Sequence, residues 1–216
     1  MEFLDQLISS RHLFLAGLRV TLGLTALTLV LSVVLGGAVA ALKMSPVRAL
    51  SWMGNTYLAI VRGIPLIALM FVIYFGIVSV IRVDAFTAAV VGLSVHTSAY
   101  VAEIFRSGIN SIGKGQMEAS RSLGMSRTAT MRKVVAPQAI RVVIPALVNQ
   151  AILTLKDSAV AAFITVDELF QTAQRLSAST FQPLTFYAIV SLYYLVIVGI
   201  MTVIAGRVET YFRKRA

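Results

Sequence analysis

Four stretches of this chain, Val20–Leu42, Ile64–Ile81, Ala85–Ala102 and Leu184–Gly206, run for 18 to 23 residues without a single charged side chain. A bilayer core about 30 Å thick takes roughly 20 apolar residues per helical crossing, so each run is long enough to span it. A fifth stretch, Val142–Val166, has the right length but carries Pro145, Asn149, Gln150 and the pair Lys156-Asp157. Such groups are costly in lipid, so this segment is expected to face protein or a cavity. The expectation is an all-α membrane protein with five transmembrane helices, at about 20–42, 64–81, 85–102, 142–166 and 184–206, forming one domain over 1–216. At 216 residues, no room is left for a sizeable water-soluble domain.

The net charge of +10 is explained by where the basic residues sit, with no need for nucleic acid as a partner. Fourteen of the 19 lie between spans one and two, between three and four, or after five, and only Arg11, Arg19, Arg82 and Arg175 lie on the other side. Basic residues collect on cytoplasmic loops, which predicts an N-terminus outside and a C-terminus in the cytoplasm. Ala38-Val39-Ala40 looks like a signal cleavage site, but the apolar run before it, about 20 residues, exceeds the 7–15 of a signal peptide. Zero cysteines and two isolated histidines, His12 and His96, exclude thiolate metal sites, disulfides and a histidine-based metal centre.

The connection between spans three and four, about 106–141, is too patterned for a simple turn. Gly113 and Gly115 are expected to break the third helix. Gln116 to Leu123 are good helix formers, with Met117, Ser120 and Gly124 on one face and Gly124 placed to stop the helix. Ser126 can cap a second short helix, Arg127–Val135, ending before Pro137. Two short helices around a glycine turn form a rigid projecting knob.

Glu118-Ala119-Ser120, then Gly124, Val134, Ala136-Pro137 and Ile144-Pro145, resembles the EAA loop of ATP-binding cassette (ABC) importer permeases. Ser120 stands where that pattern has alanine, and Ala136 where it often has leucine. Arg62-Gly63-Ile64-Pro65-Leu66, Tyr74-Phe75-Gly76, Ala99-Tyr100-Val101-Ala102-Glu103-Ile104, Lys114-Gly115-Gln116, Pro137-Gln138-Ala139, Leu155-Lys156-Asp157-Ser158 and Glu168-Leu169 are similar to stretches of the polar amino acid permeases, in the same order. The resemblance runs from about Gly17 to Leu169. It implies a type I ABC importer permease fold with short cytoplasmic coupling helices, in which Gln116, Glu118, Ala119, Ser120 and Gly124 couple to the ATPase. It further implies two ATPase subunits that bind ATP and Mg, a second permease chain, identical or homologous, and an extracytoplasmic amino-acid-binding protein, besides membrane lipid. No cofactor is expected in this chain: its one Gly-Lys, Gly113-Lys114, is followed by Gly115, which is not a P-loop.

Among the polar residues in the spans, Asp157 has two readings, a substrate-pathway carboxylate or a structural partner of Lys156 or a helix end. Glu103 is spaced for an i, i+3 pair with Arg106 and is also kept as a pathway candidate, with Arg62 and Pro65. His96, Asn149 and Gln150 suit hydrogen bonds between helices, with His96 and Tyr100 kept as pathway candidates. Arg62, with Gly63 and Pro65, heads a span whose first turn is irregular and therefore lines protein or water. Tyr187, Tyr193 and Tyr194 suit packing and interfacial anchoring. A transport subunit rather than an enzyme is expected, since no metal-spaced cluster or nucleophile–base set lies in the spans. The alternative, an ion-coupled secondary transporter, would need coupling acids and internal repeats, and only Asp157 is available. The substrate stays open among cationic amino acids, glutamine or glutamate, and cystine.

Overall fold

The computed structural model describes residues 2–78 and 83–213. The end of the second expected span, 79–81, and Arg82, Lys214 and Arg215 lie outside the described residues. Among the described residues nine α-helices follow in order: α1 Glu2–Lys43, α2 Arg48–Gly63, α3 Leu66–Val78, α4 Ala85–Asn110, α5 Lys114–Ser122, α6 Arg127–Thr130, α7 Ala136–Asp157, α8 Leu169–Thr180 and α9 Pro183–Arg213. A π turn, Met131–Val135, joins α6 to α7, and a 3₁₀ segment, Ser158–Ile164, continues α7. Four helical stretches are long and apolar enough to cross a membrane: 3–43, 85–110, 127–164 and 183–212. Helices α2 and α3 pass the same test only as a pair, bent by 106° at Ile64-Pro65, so the described residues offer up to five crossings.

The centre of the fold is the pairing of α1 with α4. Lipid is as apolar as leucine, so helices in a membrane associate through close packing of small residues rather than through the hydrophobic effect. Small polar residues are buried along both helices, Thr25, Thr28 and Ser32 on α1 and Ser94, Thr97 and Ser98 on α4, with Ser94 Oγ donating to the Thr28 carbonyl. At Gly36 the backbones meet: a Cβ there would stand 2.8 Å from the Ser98 carbonyl oxygen and 2.7 Å from Val101. Large apolar side chains fill in around this seam, with Leu24, Met70, Leu93 and Ile164 in one cluster and Phe14, Leu169, Phe186 and Ile189 in another.

A buried carboxylate fastens the second cluster. Glu168 has no exposed surface and caps α8, its Oε1 accepting the Gln171 N–H at 2.7 Å. Its Oε2 accepts the hydroxyls of Tyr194 at 3.2 Å and Thr21 at 3.4 Å, while Thr21 Oγ1 accepts the Leu169 N–H at 3.0 Å. Burial pushes the Glu168 carboxyl above the ordinary carboxylate range, and these hydrogen bonds pull the other way. One side chain thus ties α1, α8 and α9 together.

The structure departs from the expected helices in four places. The second span is a broken pair, because Pro65 lacks an N–H and bars its predecessor from the helical region, so Ile64 is extended (φ −101°, ψ 130°). The second short helix does not stop before Pro137 but runs on into α7. The π turn makes this passage possible, with the Ala136 N–H bonding the Met131 carbonyl five residues back, and Pro137 falls in the first turn of α7. The third helix ends at Asn110, ahead of Gly113, which becomes the N-cap of α5, while Gly115 lies inside α5. Helix α8 was not anticipated at all.

Glu168→Ala should lower the thermal midpoint of the purified protein, because it strands the Gln171 N–H and two hydroxyls at about 1–3 kcal/mol per buried group. Glu168→Gln, which keeps the acceptor oxygen, should lower it less. Equal midpoints for Ala, Gln and native chains would contradict the tie. Gly36→Leu should prevent recovery of folded protein, because no rotamer clears the α4 backbone.

Candidate substrate path and coupling loop

The α2–α3 bend and the 3₁₀ segment that follows Asp157 both pack against α4. Arg62, in the last turn of α2 before the Ile64-Pro65 break, places its guanidinium carbon 5.7 Å from the centre of the Tyr100 ring. Tyr100 packs on His96, ring centres 5.1 Å apart, one turn up α4. His96 is buried, with Nδ1 lacking any hydrogen-bond partner, and it lies within electrostatic reach of Asp157. Asp157 is the last residue of α7, where α-helix gives way to the 3₁₀ segment. A guanidinium, a phenol, an imidazole and a carboxylate therefore form one polar string between the α2–α3 break and the α-to-3₁₀ change after Asp157. Among the described residues Asp157 makes no salt bridge, and neighbouring Lys156 is exposed. Pro65 sits exposed at the break itself.

Below this string, a groove of about 310 Å³ opens between α4 and α7, lined among others by Tyr100, Glu103, Ser107, Val142, Ala146 and Gln150. Val142, Ala146, Gln150 and Asp157 follow one another at helical spacings of four, four and seven, so a single face of α7 runs from the groove to Asp157. Gln150 is buried there, whereas Asn149 is exposed on the chain and, contrary to expectation, does not bridge to another helix. Nor does His96 Nδ1 form the expected interhelical bond. Glu103 at the lower end binds Arg106 at 2.8 Å, as its spacing predicts, and also Lys43 of α1 at 2.5 Å, which no local pattern could reveal. Tyr193 stacks on Phe14 and Tyr187 on Phe170, as packing residues should, while Tyr194 is drawn into the Glu168 tie.

The coupling loop is held stiff by its own backbone. Gly124 has φ +80° with open space around its Cα, so glycine is needed for the left-handed conformation and not for room. The Gly124 N–H bonds the Arg121 carbonyl and the Met125 N–H bonds the Ser120 carbonyl, the pair of bonds that closes a Schellman motif at the end of α5. Ser126 Oγ then accepts the Ala129 N–H at 3.2 Å and starts α6 without slack. Ser120 is buried toward the protein, while Gln116, Glu118, Ala119 and Leu123 face outward. Leu123 is 84% exposed, an apolar anchor with no cover within the chain.

This arrangement has close counterparts. The family model described as binding-protein-dependent transport system inner membrane component matches residues 19–214. The chain belongs to that family. It is 38% identical over 192 residues to the probable glutamine ABC transporter permease protein GlnM of Bacillus subtilis (strain 168), covering 88% of this chain and 89% of that one. It is 36% identical over 197 residues to the arginine transport system permease protein ArtQ of the same organism, covering 90% of each. A crystal structure of an amino acid ABC transporter with histidines superimposes with a TM-score of 0.92 at 35% identity, over 98% of this chain and 99% of that one. An inward-facing MetNI methionine ABC transporter, at 22% identity and a TM-score of 0.82, shares the fold. The chain is thus a polar amino acid ABC transporter permease subunit with the type I importer fold, a multi-pass inner-membrane protein and a transport subunit rather than an enzyme. An ion-coupled secondary transporter finds no support among these relatives.

Glu103→Gln should leave Lys43 and Arg106 facing each other without their shared carboxylate. A fall in the thermal midpoint with unchanged substrate selectivity is expected, and a change of selectivity at unchanged stability would place Glu103 in the pathway instead.

Proposed function

We propose that this chain forms half of the translocation pathway of an ATP-driven importer of polar amino acids, with substrate passing along the string of Arg62, Tyr100, His96 and Asp157. The observation that carries the reading is that these four side chains run from the Ile64-Pro65 break to the α-to-3₁₀ change after Asp157. Backbone leaves the helical pattern at membrane depth only where it lines protein or water. Every amino acid carries an α-ammonium, for which Asp157 is the suitable partner, and an α-carboxylate, for which Arg62 is. Pro65 fixes the bend that presents Arg62. The groove past Tyr100 and Gln150 is the route onward, and Glu103 shapes its end.

The other half of the pathway is supplied by a second permease chain, identical or homologous. Asn149 and Lys156 support this, because they are exposed on a spanning helix where lipid would be a poor neighbour. Two ATPase subunits, which bind ATP and Mg, dock on Gln116, Glu118, Ala119 and Leu123, held in position by Ser120 and Gly124. An extracytoplasmic binding protein delivers the amino acid. Since α6, the π turn, α7 and the 3₁₀ segment form one helical rod over 127–164, a push on α5 is carried along it to Asp157. The whole chain acts as one domain, its N-terminus outside and its coupling loop and C-terminus in the cytoplasm.

In proteoliposomes holding the assembled importer, Asp157→Asn should reduce amino acid uptake roughly 10- to 100-fold, the equivalent of one charge-assisted contact. The complex should still assemble; loss of assembly, or unchanged uptake, would contradict the pathway role. Gly124→Val should leave ATP hydrolysis uncoupled from uptake or release the ATPase, because a β-branched residue resists φ +80°, and normal coupling would sink the docking assignment. A cysteine replacing Ser120 or Ala119 in this cysteine-free chain should resist impermeant thiol reagents added outside intact cells and react in inverted vesicles. The reverse pattern would overturn the orientation.

A further inference from the structure

We propose that a cytoplasmic groove between the α1–α2 turn and the start of the 127–164 rod binds an anionic phospholipid, its phosphate held by Arg127 and Arg132. The groove measures about 570 Å³. Its floor is apolar, from Ala41, Met44, Pro46 and Met131, and its rim carries the two guanidiniums with the hydroxyls of Ser45 and Thr128. No acidic side chain lines it, and among the described residues neither arginine has a carboxylate partner. Arg106, Arg175 and Lys43, by contrast, are each paired within the chain. The cytoplasmic carboxylate nearest in sequence to the groove's first wall, Glu103, is already shared by two cations.

Height and shape select a lipid over a soluble anion. Ala41 and Met44 flank Lys43, where the charge-free run of α1 ends, so the groove lies where hydrocarbon gives way to headgroups. The face of α1 that enters it continues upward through Val34 and Val30, seven and eleven residues before Ala41 and so on the same side of the helix. Both are exposed, Val34 by 67% and Val30 by 64%, a track for an acyl chain below a phosphate site. Arginine suits that phosphate because its planar fork matches two oxygens at once. Ser45 Oγ accepts the Val47 N–H at 3.2 Å, which leaves its own proton to donate. Basic pockets beside spanning helices on the cytoplasmic side hold anionic headgroups by this combination of charge and apolar floor.

The proposal rests on the cytoplasmic placement argued above, but lipid binding can be read without it. Native mass spectrometry of the assembled importer in detergent, with phosphatidylglycerol or phosphatidylcholine of matched chains added, should show preferential retention of phosphatidylglycerol. The double variant Arg127→Gln/Arg132→Gln should lose that preference by roughly tenfold. Arg132→Gln alone, which keeps one guanidinium and guards against a fold defect, should lose part of it. Removing as much charge elsewhere, in Lys114→Gln/Arg207→Gln, should leave it intact, and glycerol phosphate should fail to displace the lipid. Equal retention of the two lipids, an unchanged preference in the groove variants, or an equal loss in the Lys114/Arg207 control would overturn the proposal. So would zero-length cross-linking of a cysteine at Thr128 to the ATPase, which would make the groove a protein contact. Wrong topology would show only in the labelling experiment above and would leave these lipid ratios unchanged.

Discussion

A helix that breaks inside a membrane must find partners for the backbone groups it releases, and hydrocarbon offers none. Among the described residues the chain breaks its helix at Ile64-Pro65 and changes from α to 3₁₀ after Asp157, and the rest of the fold is arranged around these two places. The α1–α4 seam of threonines, serines and Gly36 supplies a tightly packed backing, because backbones that approach through small residues leave no space to relax. The α2–α3 bend leans on one part of α4 and the 3₁₀ segment on another. Between them stand Tyr100 and His96. The unpartnered Nδ1 of His96 marks a place where the packed seam ends and an unfilled polar need begins.

Rigidity at a distance follows from the same economy of parts. The coupling loop has two helix ends closed by specific hydrogen bonds, the Schellman pair at Gly124 and the Ser126 cap, so α5 cannot swing independently of α6. Because the π turn lets the chain pass Pro137 without stopping, α6 and α7 run on as one helical rod through Asp157, the lever of the proposed coupling. On the other side of the molecule Glu168 anchors α8 and α9 to α1, giving the lever a fixed frame. A chain without catalytic groups can in this way pass force between a cytoplasmic motor and a polar string at mid-membrane.

The crossings were legible in the sequence because lipid imposes a long, charge-free pattern, and the candidate site residues stand out because charge and proline are conspicuous inside it. The Gly124 stop and the Ser126 cap were also readable, since each is a local device whose residue type is dictated by backbone geometry. Helix α8 was hidden. Its neighbouring left-handed positions are Thr165 and Phe181 rather than glycines, and its N-cap is a glutamate, outside the usual Ser, Thr, Asp and Asn. The continuation past Pro137 was hidden as well, because proline ordinarily ends a helix and nothing in Met131–Val135 announces a wider turn. The Lys43–Glu103 and Thr21–Glu168 contacts join residues 60 and 147 positions apart, and only the packed fold brings them together. Tyr194 looked like an anchoring tyrosine for the same reason.

The claim that these two places border a substrate path, the Ile64-Pro65 break and the α-to-3₁₀ change after Asp157, is tested most directly by the chemical accessibility of its side chains in the assembled importer. Single cysteines in place of His96, Tyr100 and Asp157, set against Val30 on the lipid-facing side of α1, can be challenged with a charged, membrane-impermeant thiol reagent with and without the transported amino acid. The account predicts modification at positions 96, 100 and 157 that the amino acid slows, and none at position 30. Unreactive cysteines at 96, 100 and 157, or reactivity that the substrate leaves unchanged, would contradict it.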